Sequence, residues 1–69
     1  MKIVVIDRKG EKTMVIDGAQ TDPATIDRQL RDKDTALIGF KSEILGKGMA
    51  LLVKENLTAL LFVEDPVDI

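Results

Sequence analysis

The chain has 69 residues, no cysteine, no histidine and a formal net charge of -2 at pH 7. These numbers exclude a disulfide framework, a thiolate metal site and catalytic arrangements built on histidine or cysteine. They also argue against nucleic-acid binding, because the 10 Lys and Arg residues are outnumbered by 12 Asp and Glu residues. The only aromatic residues are two phenylalanines, too few for a surface on which bases could stack. We therefore expect no enzyme activity, no cofactor and no metal site.

The first part of the chain, residues 1–17, predicts an antiparallel β-hairpin. Lys2–Asp7 and Thr13–Asp17 are rich in β-branched residues, which favour strands. Gly10 lies in the polar stretch between them and can adopt the positive φ that short hairpin loops require.

A helix is predicted over residues 22–33. Asp22 can accept hydrogen bonds from free backbone amides at the helix start, and Pro23 suits the first helical position. The apolar stripe of this helix is narrow, so we expect it to cover part of a sheet and leave the rest of its surface in water.

Residues 35–64 predict a βαβ unit, with strands at Ala36–Phe40 and Ala59–Val63 and a helix from Ser42 to about Glu55. Two short apolar runs joined by a helix-length segment are typical of a parallel crossover. On a helix, the apolar residues between the strands would cover an arc of roughly 200°. Gly46 and Gly48 would each cost this helix about 1 kcal/mol relative to alanine.

The predicted element order is therefore ββαβαβ in a single domain, residues 1–69. This order indicates an α/β fold at the boundary with α+β, a two-layer sandwich with a four-stranded mixed sheet and two helices. The acidic residues 65–69 are predicted to form a tail outside the sheet. We expect a soluble cytoplasmic protein without membrane contact, because no stretch approaches the ~20 apolar residues that span a bilayer.

One predicted ligand site consists of Lys41, Ser42 and Glu43, at the start of the second predicted helix. Free amides at a helix start beside a lysine can hold a phosphate or carboxylate. The stretch is not a Walker A loop, since six residues separate Gly39 from Gly46 and Gly48 follows the lysine. The alternative function is therefore a binder of a small anionic ligand. The competing interpretation of these three residues is an ordinary capped helix start without a ligand.

The main functional prediction is a non-enzymatic homo-oligomeric interaction or assembly module, most simply a homodimer, that could also bind another protein. It rests on the observation that both faces of the predicted sheet are apolar, whereas two helices on one side would leave the other face bare. A helix on each face would instead leave a marginal monomer. The residues predicted to form the self-association face are Val4, Ile6, Val15, Ile38, Phe40, Leu61 and Val63.

Overall fold

The structure, a computed structural model, describes residues 1–64, so the tail predicted for residues 65–69 lies outside the described residues. The elements in chain order are β1 (Lys2–Asp7), β2 (Lys12–Ile16), α1 (Pro23–Lys33), β3 (Thr35–Ser42), β4 (Gly46–Val53), a 3-10 turn (Lys54–Asn56) and β5 (Leu57–Val63). The strands form two antiparallel sheets, one of three strands in the order β2-β1-β5 and one of two strands, β3-β4.

This architecture shows that the predicted four-stranded mixed sheet with two helices is wrong. The segment predicted as the second helix is the strand β4, which pairs with β3 from Thr35↔Val53 to Ser42↔Gly46. The β3-β4 pair is therefore a hairpin, and the βαβ unit predicted for residues 35–64 is absent. β5 does not return beside β3 but pairs antiparallel with β1.

Two glycines explain why the β4 segment forms a strand. Gly46 has φ 81°, a left-handed conformation that ends the short turn after Ser42 and starts β4. Gly48 lies directly under the ring of Phe40, and a Cβ at this position would come within 2.9 Å of the ring. Both glycines disfavour a helix, and both have a structural use in this hairpin.

The β1-β2 hairpin predicted for residues 1–17 is confirmed. One side-chain oxygen of Asp7 accepts hydrogen bonds from the backbone N–H groups of Lys9 (2.9 Å) and Glu11 (3.0 Å). Gly10 has the predicted positive φ, 80°. The polar loop thus folds on itself, because the carboxylate of Asp7 replaces water at two free amides.

The helix predicted over residues 22–33 is also confirmed, as α1. The carboxylate of Asp22 accepts hydrogen bonds from the Thr25 hydroxyl (2.6 Å) and the Thr25 backbone N–H (3.1 Å). Pro23 occupies the first turn, and Asp34 ends the helix with φ 59°. These hydrogen bonds, led by that of the Thr25 hydroxyl, lower the pKa of Asp22 below the ordinary value.

Asp22→Ala is expected to lower the melting temperature at pH 7 by a few degrees, because the first turn of α1 loses its cap. The lowered pKa adds a pH dependence. The stabilisation from Asp22 is fully present above about pH 3.9, the pKa of an unfolded aspartate, and is lost as the pH falls through the lower folded value. Thermal melts of the wild type, Asp22→Ala and the control Asp22→Asn between pH 2 and 7 test this. A melting temperature of Asp22→Ala equal to that of the wild type at pH 7 contradicts it.

One core joins the two sheets and α1. Ile3 and Val5 from β1 and Ile26 from α1 are almost completely buried in it. The segment 18–20 connects the sheets through its backbone, since Ala19 N–H donates to the Met1 carbonyl (2.9 Å) and Ala19 also bridges to Phe40. The complete core is Ile3, Val5, Ile16, Ala19, Ile26, Ala36, Ile38 and Leu52.

Candidate interaction surface

The three-stranded sheet has one buried face and one face turned to water. Residues opposite each other on paired strands share a face, and the rows across this sheet run Val15-Val4-Leu61 and Lys2-Val63. Their neighbours Ile3 and Val5 point to the opposite side, into the core. The side chains of these rows therefore point away from the core.

The side turned to water is apolar. Leu61 is 50% exposed, Val63 46% and Val15 39%, while Val4 and Ile6 are half-buried. Scattered exposed apolar residues are common on protein surfaces, but these lie side by side on three adjacent strands. We call the patch formed by Val4, Ile6, Val15, Leu61 and Val63 the outer face.

Two residues predicted for the self-association surface do not lie on the outer face. Ile38 is fully buried in the core, and Phe40 is half-buried with its ring over Gly48. The prediction placed β3 in the same sheet as β1, whereas β3 belongs to the second sheet and its alternation is set separately. The outward side chain of this part of β3 is Leu37, which is 50% exposed.

The predicted ligand residues Lys41, Ser42 and Glu43 lie at the end of β3 and in the turn that follows. The Ser42 hydroxyl accepts a hydrogen bond from the Leu45 backbone N–H (2.8 Å) and so closes the turn into β4. No helix starts at Ser42. The free helical amides on which the anion site depended are therefore absent, and the hydroxyl is used by the turn.

A groove of about 450 Å³ runs between α1 and β5. Its wall is mainly apolar, with Ile26 and Leu30 on the helix side and Leu60 on the strand side. At its rim the Asp27 carboxylate is paired with Arg31 (3.1 Å). An apolar groove of this kind offers area for contact with a partner.

The two edges of the β3-β4 hairpin differ. The β3 edge is capped by side chains and by the segment before α1: the Gln29 amide bonds both the N–H (2.9 Å) and the carbonyl (3.3 Å) of Leu37. The Gly39 N–H donates to the Thr21 hydroxyl (2.9 Å), and the Lys41 N–H donates to the Gly18 carbonyl (3.0 Å). The Gly39 carbonyl accepts from the Gln20 N–H (2.8 Å), so most of the outward backbone groups from Leu37 to Lys41 are hydrogen-bonded.

The β4 edge has no such cap. Backbone groups alternate in direction along a strand, so the capping of residues 37, 39 and 41 means that residues 36, 38, 40 and 42 bond to β4. Their partners in β4 also have even numbers, from Gly46 to Leu52. The N–H and carbonyl groups of Lys47, Met49 and Leu51 therefore point away from β3. Within residues 1–64 no hydrogen bond is made to these groups. The helix interpretation hides this edge, although the alternation of Gly48 and Ala50 with the larger Lys47, Met49 and Leu51 is its sequence signal.

The described residues define a small, mostly antiparallel domain with one helix and two apolar sheets. Comparisons with protein-family models, curated proteins and solved structures found no match.

Among residues 1–64, no three acidic side chains are grouped closely enough to hold a metal ion. Within that same range, no helix has the length and apolar character needed to cross a membrane.

Proposed function

We propose that this protein is a non-enzymatic self-associating module whose copies pack together through the outer face. The observation that supports it is a contiguous apolar patch on three neighbouring strands, on the side of the sheet away from the core. A face of this kind is typical of surfaces that are covered in the working state of a protein. The simplest cover is a second copy related by a two-fold axis.

The charges around the outer face support the same arrangement. Lys2 lies in the row of Val63 at one end, and Lys12 lies opposite Ile6 at the other end. Both lysines are exposed. An apolar centre with charges at the rim is the usual anatomy of a protein interface, because rim charges keep their water when the centre is buried.

The magnitude of burial predicts a weak association. Covering a half-exposed Leu or Val contributes on the order of 1 kcal/mol, so the outer faces of two copies together contribute roughly 6–10 kcal/mol. Lost translational and rotational freedom offsets about 4 kcal/mol or more of this. The remaining roughly 2–6 kcal/mol corresponds to a dissociation constant from tens of micromolar to tens of millimolar. The cytoplasmic placement stays a prediction.

Leu61→Lys is expected to weaken association through the outer face at least tenfold. It replaces the most exposed apolar side chain of the outer face with a charge, and association would have to remove water from that charge. Analytical ultracentrifugation from about 10 µM to several millimolar, the range set by the expected affinity, measures this loss as a lower average mass.

Leu37→Lys is the matched control, since Leu37 is also a strand leucine with 50% exposure but lies on the other sheet. It should sediment like the wild type. A wild type that stays monomeric over the whole range, or equal masses for Leu61→Lys and Leu37→Lys when the wild type associates, contradicts the proposal.

A further inference from the structure

We propose that the free edge of β4 is a second self-association site, at which β4 of one copy pairs antiparallel with β4 of another. This site goes beyond the outer face: it lies on the other sheet and does not depend on the proposed function. The two β3-β4 hairpins then form one continuous four-stranded sheet.

The backbone specifies the kind of partner. The outward N–H and carbonyl groups of Lys47, Met49 and Leu51 form an alternating row of donors and acceptors, which an extended chain satisfies and a helix cannot. Natural edge strands are usually shortened, bulged or charged against such pairing. β4 has eight residues, its ladder with β3 is unbroken, and Lys47 is its single charged residue.

The side chains of β4 are compatible with a second copy as the partner. In an antiparallel pair centred on Met49, each Lys47 lies opposite Leu51 of the other copy, and no like charges meet. The outward groups of all three residues then face each other and form about six backbone hydrogen bonds. A register centred on Lys47 would place the two lysines together and is disfavoured.

The same register joins two apolar rows. Met49 is 62% exposed and Leu51 59%, and both side chains lie on the outward side of β4, at the edge itself. Pairing places the Met49 side chains of both copies in contact and lays the Lys47 stem against Leu51. The second copy thus matches the β4 edge in charge and in apolar surface as well as in backbone groups.

Two different two-fold contacts on one chain change the assembly that is expected. A single two-fold contact ends at a dimer, whereas two contacts about different axes continue to a ring or a filament. A chain that uses both the outer face and the β4 edge therefore grows beyond a dimer with concentration. If either contact is lost, assembly stops at the dimer that forms through the remaining contact.

The test is amide hydrogen exchange by NMR on a dilution series of the Leu61→Lys protein, in which outer-face association is weakened. The N–H groups of Lys47, Met49 and Leu51 should exchange about tenfold more slowly once roughly nine-tenths of the edges are paired. The N–H groups of Gly48, Ala50 and Leu52, which bond to β3, should be protected at every concentration. Exchange of the three outward amides that stays fast at millimolar concentration overturns the proposal.

Met49→Pro removes one outward N–H and leaves the bonds to β3 in place, because Met49 does not donate to β3. Its control Met49→Thr keeps the N–H and a strand-favouring side chain. Concentration-dependent protection at Lys47 and Leu51 should be lost in Met49→Pro and retained in Met49→Thr. Protection that survives Met49→Pro shows that another surface shields these amides, and the edge is not the site.

The two proposals fail separately in these experiments. An unchanged mass of Leu61→Lys together with edge protection removes the outer face and keeps the β4 edge. A reduced mass of Leu61→Lys without edge protection does the reverse.

Discussion

Ile38→Lys is expected to unfold the protein. Ile38 is fully buried in the core, and the ammonium group would have no charged partner there, since no buried side chain of residues 1–64 is polar. Truncating a buried isoleucine alone costs about 2–5 kcal/mol, and a domain of this length has roughly 3–10 kcal/mol of stability in total. The buried charge therefore exceeds what the fold can tolerate.

Circular dichroism during thermal and urea unfolding measures this result, with Leu37→Lys as the neighbouring control on the exposed side of the same strand. Leu37→Lys should melt within a few degrees of the wild type. Ile38→Val, which removes one methylene group, should cost about 0.5–1.5 kcal/mol and gives a graded value if Ile38→Lys yields no folded protein. Equal stability of the two lysine variants contradicts the core described above.

Gly18→Ala is expected to have the second largest effect on stability, on the order of several kcal/mol. Gly18 has φ 68°, a conformation that costs an alanine about 1 kcal/mol. A Cβ at Gly18 would also overlap with the backbone carbonyl group of Lys41, and neither backbone can move without breaking the hydrogen bond from the Lys41 N–H to the Gly18 carbonyl. The substitution thus disrupts the connection between the two sheets.

Gly10→Ala separates the two causes. Gly10 also has a positive φ, 80°, but nothing lies within 4 Å of an added Cβ. Gly10→Ala should therefore lose only the cost of the positive φ, about 1 kcal/mol of unfolding free energy. Free energies of unfolding from urea titration give both values. A loss for Gly18→Ala no larger than that for Gly10→Ala means that the segment 18–20 can move away from β3 at little cost.

The sequence predicts the elements whose ends are marked by local chemistry. The Asp22-Pro23 pair places the start of α1 correctly, and Gly10 places the first hairpin turn. β1 is predicted with its observed bounds, Lys2–Asp7. These residues determine structure through hydrogen bonds and φ angles within a few positions of themselves, so no knowledge of the distant chain is needed.

The helix predicted over residues 42–55 is wrong because an apolar run has no unique period. Leucine and methionine on both sides of a strand give the same broad apolar arc when plotted on a helix, so the pattern alone does not distinguish a strand from a helix buried on two sides. The decisive residues were the glycines. Gly46 after a three-residue turn resembles Gly10 in the first hairpin, and both have positive φ.

The outer face was predicted in part. Val4, Val15, Leu61 and Val63 share a side because β1, β2 and β5 lie in one sheet. Ile38 could not be assigned in this way, since alternation fixes relative sides within a sheet but not between sheets. The β4 edge was beyond prediction for another reason: it depends on which strand neighbours β4, and that is a long-range property of the fold.

The position of β1 has a consequence for biosynthesis. β1 is the central strand of its sheet and is translated before its partner β5, which ends at Val63. The β1-β5 ladder therefore closes a loop that contains β2, α1, β3 and β4, and the sheet cannot be completed before Val63 has been synthesised. Pairing over such a separation is slow compared with hairpin formation. The nascent chain is thus expected to present the β1-β2 hairpin first, with the β1 edge that β5 will cover still open to other strands.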